Sequence, residues 1–218
     1  LGAAALGVSL AIYILRLDRV VGLVVDDAWY LLLAKSLASG QGYTLTNSPT
    51  PGITPLYPPG FPALLSIFYR LLPDFPDNIW LLKSVSIAAM LGLGFVSLRY
   101  FERYRALPTY VAFGLAFATA IYPPLVFFAT SSLMSECVFT LTQLAAVLCI
   151  ERAVRGAASS ASRSSTWGGV AMAGVLASFA FLTRPAGVGL PLAAVIYLFK
   201  ERLPKQAIAF AAAVAILA

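Results

Sequence analysis

Residues 79–101 read IWLLKSVSIAAMLGLGFVSLRYF, a run in which Lys83 and Arg99 are the only charged residues. That length matches the roughly 20 residues a helix needs to cross a bilayer core about 30 Å thick. Hydrocarbon offers no partners to backbone N–H and C=O groups, so only helices and closed barrels span it. The run is continuous rather than alternating, which reads as a helix and not as a barrel strand. Six more apolar runs accompany it, at 1–17, 109–128, 133–150, 167–182, 186–199 and 206–218. The expected fold is therefore all-α, a polytopic transmembrane helical bundle of about seven spans. The runs at 167–182 and 186–199 are short for a perpendicular crossing. Either they are partly buried in protein, or the Thr183-Arg184-Pro185 turn between them sits below the lipid surface.

Composition agrees with a membrane bundle. The chain is 60% hydrophobic and 11% charged, with a mean hydropathy of +0.87, whereas soluble domains carry roughly 25% charged residues. Its net charge of +6 comes without any His and without a basic helix interleaved with aromatics, so no nucleic-acid partner is expected. Cys137 and Cys149 fall in one expected helix about 18 Å apart by helical rise, too far to bridge. The sequence starts at Leu1 with no basic leader and stops inside an apolar run, so it reads as the N-terminal transmembrane region of a longer protein whose remainder is absent.

Charge gives the expected sidedness. Nine basic residues (Arg99, Arg103, Arg105, Arg152, Arg155, Arg163, Lys200, Arg202, Lys205) face only three acids (Glu102, Glu151, Glu201) in the even-numbered connections. On the other side six basic and six acidic residues cancel. The Lys/Arg bias assigns the even connections to the cytoplasm. The loop 18–78, the Tyr122–Ser132 turn and the Arg184 turn then face outward.

Loop 18–78 is too long for a simple connector. Asp26 and Asp27 precede an apolar helical stretch, 28–39, that Gly40 and Gly42 end. A polar segment follows, then Tyr57-Pro58-Pro59-Gly60 leads into a second apolar helix at 62–72, closed by Pro73. Both helices are too short to span, which places them at the membrane interface with Trp29, Tyr30 and Tyr69 at headgroup depth. The Ala/Ser run 157–165 reads as a flexible cytoplasmic linker.

Chemistry-bearing residues gather on the outward side. Asp26 and Asp27 fit two roles. They suit the cap and first turn of the following helix, where the dipole favours acids, and they equally suit a general base at the outer mouth of the bundle. Glu136 lies about one turn into a span, where an ionisable group needs a partner or a polar cavity. Ser132, Glu136, Thr140 and Gln143 share its helical face, as they also would in a purely structural hydrogen-bond seam. Arg184 sits at an outward turn between two apolar runs and needs an anion. A phosphate suits its planar fork, and Glu136 is the competing partner. Lys83 poses the same question, although it could also snorkel. Tyr122-Pro123-Pro124 reads as a kink or an end of its span.

The order of these features resembles the bacterial membrane glycosyltransferases of the GT-C fold, in the protein O-mannosyltransferase and lipid A aminoarabinose transferase superfamily. The matching pieces are Asp26-Asp27-Ala-Trp-Tyr-Leu-Leu-Leu-Ala, Tyr57-Pro-Pro-Gly-Phe-Pro-Ala-Leu-Leu, Ser135-Glu136 and Leu182-Thr-Arg-Pro-Ala-Gly187. The resemblance implies inverting glycosyl transfer from a polyprenyl-phosphate sugar donor to a lipid, glycan or protein acceptor, outside a bacterial inner membrane. Carried over to this sequence, it makes the loop-one acid the catalytic base, with Asp26 the first choice and Asp27 the second. Arg184 would hold the donor phosphate, Glu136 would position substrate or balance charge, and Tyr57 and Lys83 are further candidates for substrate contact. The second acid of the pair is often Glu in that superfamily and is Asp27 here, which leaves the choice within the pair open. No cofactor is required by this chemistry. A divalent cation such as Mg or Mn at Asp26 and Asp27 stays open, because hard cations favour carboxylates. Competing readings are a transporter or flippase of lipid-linked or small anionic substrates with a Glu136–Arg184 pair along its path, a polysaccharide polymerase or ligase, and a non-catalytic assembly subunit.

Overall fold

The computed structural model describes residues 2–47, 49–50, 56–158 and 163–217. In chain order its elements are α1 (Gly2–Arg16), α2 (Asp26–Ala38), α3 (Gly60–Leu71), α4 (Ile79–Tyr104), α5 (Thr109–Ala120), α6 (Pro123–Thr130), α7 (Glu136–Ala158), α8 (Arg163–Thr183), a 3-10 turn (Pro185–Val188), α9 (Gly189–Lys200) and α10 (Pro204–Leu217). Among the described residues all regular structure is helical, and every apolar run carries a helix. The helices α4, α7 and α8 are long and apolar enough to cross a membrane, and α5 with α6 makes a fourth crossing if the bent pair is one broken span. By length, α1, α9 and α10, at 15, 12 and 14 residues, fall short of a perpendicular crossing. Seven full spans are thus more than helix length alone supports. The part of the linker at 159–162 lies outside the described residues; on either side of it α7 runs on to Ala158 and α8 starts at Arg163.

The break between α5 and α6 bends the path by 44°. Its cause is local. Pro123 has no N–H to donate, and a residue before proline is pushed out of the α region, so Tyr122 adopts φ −58°, ψ 117°.

Two apolar cores hold the bundle. One gathers side chains from α1, α2, α3, α4, α6 and the start of α7, with Tyr13, Phe61, Leu65, Leu82, Met90 and Leu133 essentially inaccessible. The other lies among the second half of α7, α8, α9 and α10, around Phe210 and Leu198. The loop-one helices belong to the first core. Tyr30 and Tyr69 are each 4% exposed, so they face protein and not headgroups as their aromaticity suggests.

The α2–α3 pair is a helical hairpin with explicit ends. Gly40, at φ 76°, follows the last turn of α2. Gln41 N–H donates to Ser36 O and Gly40 N–H to Leu37 O, the two bonds of a glycine-terminated helix end. Arg70 of α3 also donates to Leu37 O, and to Ala38 O, at 3.0 and 3.2 Å.

Lys83 anchors the base of loop one. It is fully buried, and its Nζ donates to Asp18 O (3.0 Å), Asp18 Oδ1 (2.8 Å) and Thr130 O (2.8 Å). An ammonium has three donors, so all are committed to the protein. The expectation that Lys83 contacts substrate is therefore replaced by a structural role joining α4, the end of α1 and the C-terminus of α6. Burial pushes the Asp18 carboxyl up, but the bonds from Lys83, Val20 N–H and Ser131, with the Lys83 charge, hold it below the usual range. Lys83→Met should lower stability by about 2 kcal/mol, the scale of losing hydrogen bonds to a charged group. Unfolding in mixed micelles would measure it, and a variant as stable as the wild type would contradict this anchoring role.

Candidate functional site

Pro185 fixes the position of Arg184. As the residue before proline Arg184 is extended, φ −150°, ψ 135°, and α8 stops at Thr183. Gly187 then folds the 3-10 turn back onto α8. A Cβ there would lie 2.8 Å from the backbone N and Cα of Phe181, so only glycine allows so tight a return. The Arg184 side chain is thereby aimed at the start of α7, where Nη1 lies 2.5 Å from Glu136 Oε1 and 3.4 Å from Ser135 Oγ. Its guanidinium also lies 6.0 Å from the Phe139 ring centroid. Among the described residues, its Nε and Nη2 have no hydrogen-bond partner. The second Glu136 oxygen, Oε2, is buried and unpartnered there, as is Ser132 Oγ.

The two acids of loop one have different surroundings. Asp27 is fully buried; its Oδ2 accepts from Gly22 N–H (2.9 Å) and its Oδ1 from Ala28 N–H (2.8 Å). It is a latch for the backbone that enters α2. Asp26 is partly exposed, and its Oδ1 accepts a 2.8 Å hydrogen bond from the Tyr57 hydroxyl. Neither acid is an N-cap. That position is Val25, at φ 63°, ψ −52°, with Asp26 N–H donating to Val24 O at 2.6 Å. This is a γ-turn of the strained sense, and a β-branched residue at positive φ costs on the order of 1–3 kcal/mol.

A chain of polar and aromatic contacts joins loop one to the Arg184 turn. Tyr57 stacks against Trp29 (6.4 Å between centroids) and meets Tyr30 edge-on (5.4 Å). Tyr30 packs edge-on against Phe61 (5.3 Å), and its hydroxyl lies 3.3 Å from Ser135 Oγ, the atom that also meets Arg184. Burial raises the Tyr30 phenol above its ordinary range. The Ser135 bond and the Arg184 charge oppose that shift, and the Glu136 and Asp26 charges add to it. Tyr30 thus lies within electrostatic reach of both the loop-one acid and the Arg184–Glu136 pair.

Gly60 makes this junction possible. A Cβ on it would stand 2.8 Å from Leu182 C and O and 2.9 Å from Thr183 N. The start of α3 therefore lies directly against the last turn of α8, one residue from Arg184.

Of the residues singled out in the sequence, Asp26, Tyr57, Glu136 and Arg184 enter one connected assembly. Asp27 is held by backbone N–H groups, and Lys83 by the Asp18 carboxylate with the Asp18 and Thr130 carbonyls. The Thr140 hydroxyl bonds to Glu136 O within its own helix (2.8 Å), so it neither joins the assembly nor forms an interhelical seam there. Tyr30 and Ser135 are the connectors that sequence reasoning missed. The available signal was that Tyr30 stands four residues after Asp26, on the same helical face. Among the described residues no three His, Cys, Asp or Glu side chains gather to hold a metal ion.

Tyr57 allows a direct check. Partial burial, then the hydrogen bond to Asp26 and its charge, push the phenol up to about 12 from the ordinary 10.0. A raised pKa means the neutral phenol contributes stability in full below pH 10, and that contribution disappears as pH rises through about 12. The tyrosinate difference spectrum between wild type and Tyr57→Phe should stay flat until the pH nears 12. Ionisation near 10 would show that the Asp26 contact does not form.

No family model matches the chain, no curated protein matches it, and no solved structure matches it.

Proposed function

We propose that this chain is the transmembrane part of an inverting glycosyltransferase of the GT-C kind. It would move a sugar from a polyprenyl-phosphate donor to an acceptor on the face of the membrane where loop 18–78 lies, which the basic even-numbered connections assign to the exterior. The observation that carries this reading is the connection from Asp26 through Tyr57, Tyr30 and Ser135 to Arg184. It sets a partly exposed carboxylate and a cation with unused donors on one assembly, as transfer from a lipid phosphate requires.

In this scheme Asp26 is the general base and takes the proton of the acceptor hydroxyl. The acceptor oxygen forms its bond to the anomeric carbon from the face opposite the phosphate. The bond from that carbon to the phosphate oxygen breaks, and the lipid phosphate leaves with the electron pair. Arg184 stabilises the charge that develops there through Nε and Nη2. Glu136 holds Arg184 in its fork orientation through the ion pair at Nη1. Asp27 fixes the backbone that presents Asp26. The Glu136–Arg184 pair is also what the transporter reading needs, but that reading gives no part to the linked Asp26.

The test is transfer of label from a radiolabelled polyprenyl-phosphate sugar by the full-length protein in membranes. Asp26→Asn should abolish transfer while leaving the protein folded and membrane-inserted. Wild-type transfer by Asp26→Asn, or label that crosses the membrane still attached to its lipid, would overturn the proposal.

A further inference from the structure

A second feature lies away from this assembly, between α1, α4 and α5. There a groove of about 270 Å³ is lined by Leu6, Phe95, Leu98, Phe113, Phe117 and other apolar side chains, with Ser9 the one polar residue among them. Two of its lining residues, Leu6 and Phe95, are 54% and 57% exposed, so the groove is open along their side. A helix with its side chains is about 10 Å across, so this volume would hold only about two residues of one. A single extended hydrocarbon chain fits the space much better.

The groove has a charged rim. The Arg99 guanidinium lies over the ring of Phe95, 5.1 Å from its centroid, so a groove-lining side chain carries a cation at its edge. Among the described residues Arg99 has no ion-pair or hydrogen-bond partner. Its neighbours reinforce the sign. Arg103 and Arg105 follow on the same helix end, and Arg155 of α7 is brought there by its bonds to Arg103 O (2.8 Å) and Tyr104 O (3.0 Å). Glu102 and Glu151 are the only acids on these stretches of α4 and α7. An apolar slot ending at an unpaired arginine, on the basic end of a membrane bundle, matches one ligand chemistry. We infer that this groove holds an acyl chain of an anionic phospholipid whose phosphate meets Arg99. The inference rests on the chain lying in a membrane and is independent of the proposed transfer reaction.

The experiment uses the full-length protein, stripped of lipid in detergent and offered equal phosphatidylglycerol and phosphatidylcholine of identical chains. Native mass spectrometry reads what is retained. We expect phosphatidylglycerol to be kept at least five-fold over phosphatidylcholine, with the preference weakening as salt rises. Arg99→Ala should remove the preference. Arg105→Ala should keep it, because that guanidinium is engaged by Tyr100. Leu6→Trp, at an exposed position that narrows the mouth, should lower retention of both lipids without changing helicity. Equal retention of the two lipids by wild type, an Arg99→Ala variant that keeps its preference, or unchanged retention by Leu6→Trp would each overturn the inference. So would a doubled mass with no lipid, which would assign the groove to a second copy of the chain.

Discussion

Replacing Gly60 by alanine should lower stability by about 3 kcal/mol, the upper part of the usual range for overpacking. The reason is the nature of the neighbours. A Cβ here meets three backbone atoms of Leu182 and Thr183 at 2.8–2.9 Å, which cannot turn away as the end of a flexible side chain can. Relief requires α3 to move off α8. That motion would draw Phe61, and Tyr30 packed on it, away from the Tyr30–Ser135 contact, so activity should fall together with stability. Gly114→Ala is the matched control: a Cβ there meets nothing within 4 Å, and alanine is the better helix former by roughly 1 kcal/mol. If Gly60→Ala unfolds in mixed micelles at the same point as wild type, the close approach is not needed for the fold.

Arg184→Ala should reduce transfer by roughly 100- to 1,000-fold, the range for losing one preorganised group that stabilises developing negative charge. Its effect on stability should be smaller, about 1–2 kcal/mol, because a partly buried Glu136 loses its partner while water still reaches both side chains. The ion pair is 34% exposed on the arginine side and 20% on the glutamate side. Arg184→Lys separates the two effects. It keeps the charge but not the fork, so stability should recover more than transfer does. Full transfer by Arg184→Ala would remove Arg184 from the reaction, and full transfer by Arg184→Lys would show that its charge is used and its fork is not.

The helices were legible because hydropathy writes them directly: long apolar runs admit no other backbone-satisfied form in lipid. The Pro123-Pro124 break was legible for a similarly local reason. Lys83 was not. A lysine near the end of a span reads equally as a snorkelling surface cation, and its partners, Asp18 and Thr130, come from sequence positions that nothing local relates to it. Tyr30 and Tyr69 were misplaced because aromatic residues in a short amphipathic stretch suit a lipid interface and a protein core equally well. Within the site, Asp26, Glu136 and Arg184 stood out as charges in apolar surroundings. The contact that unites them depends on Gly60 approaching a backbone more than a hundred residues away, and an absent side chain leaves little for sequence to announce.

The γ-turn at Val25 changes how losses of activity at this acidic pair should be understood. Val25 is 63% exposed, so packing does little to hold its unfavourable torsions; the Asp27 latch, bonded to Gly22 and Ala28 on either side of it, does. Neutralising Asp27 would release the turn and let Asp26 swing away from Tyr57. Two adjacent variants could then be equally inactive for unrelated reasons, one lacking the proton acceptor and the other lacking its address. A proteolysis rate at 20–25 distinguishes them: it should rise in Asp27→Asn and stay at the wild-type value in Asp26→Asn.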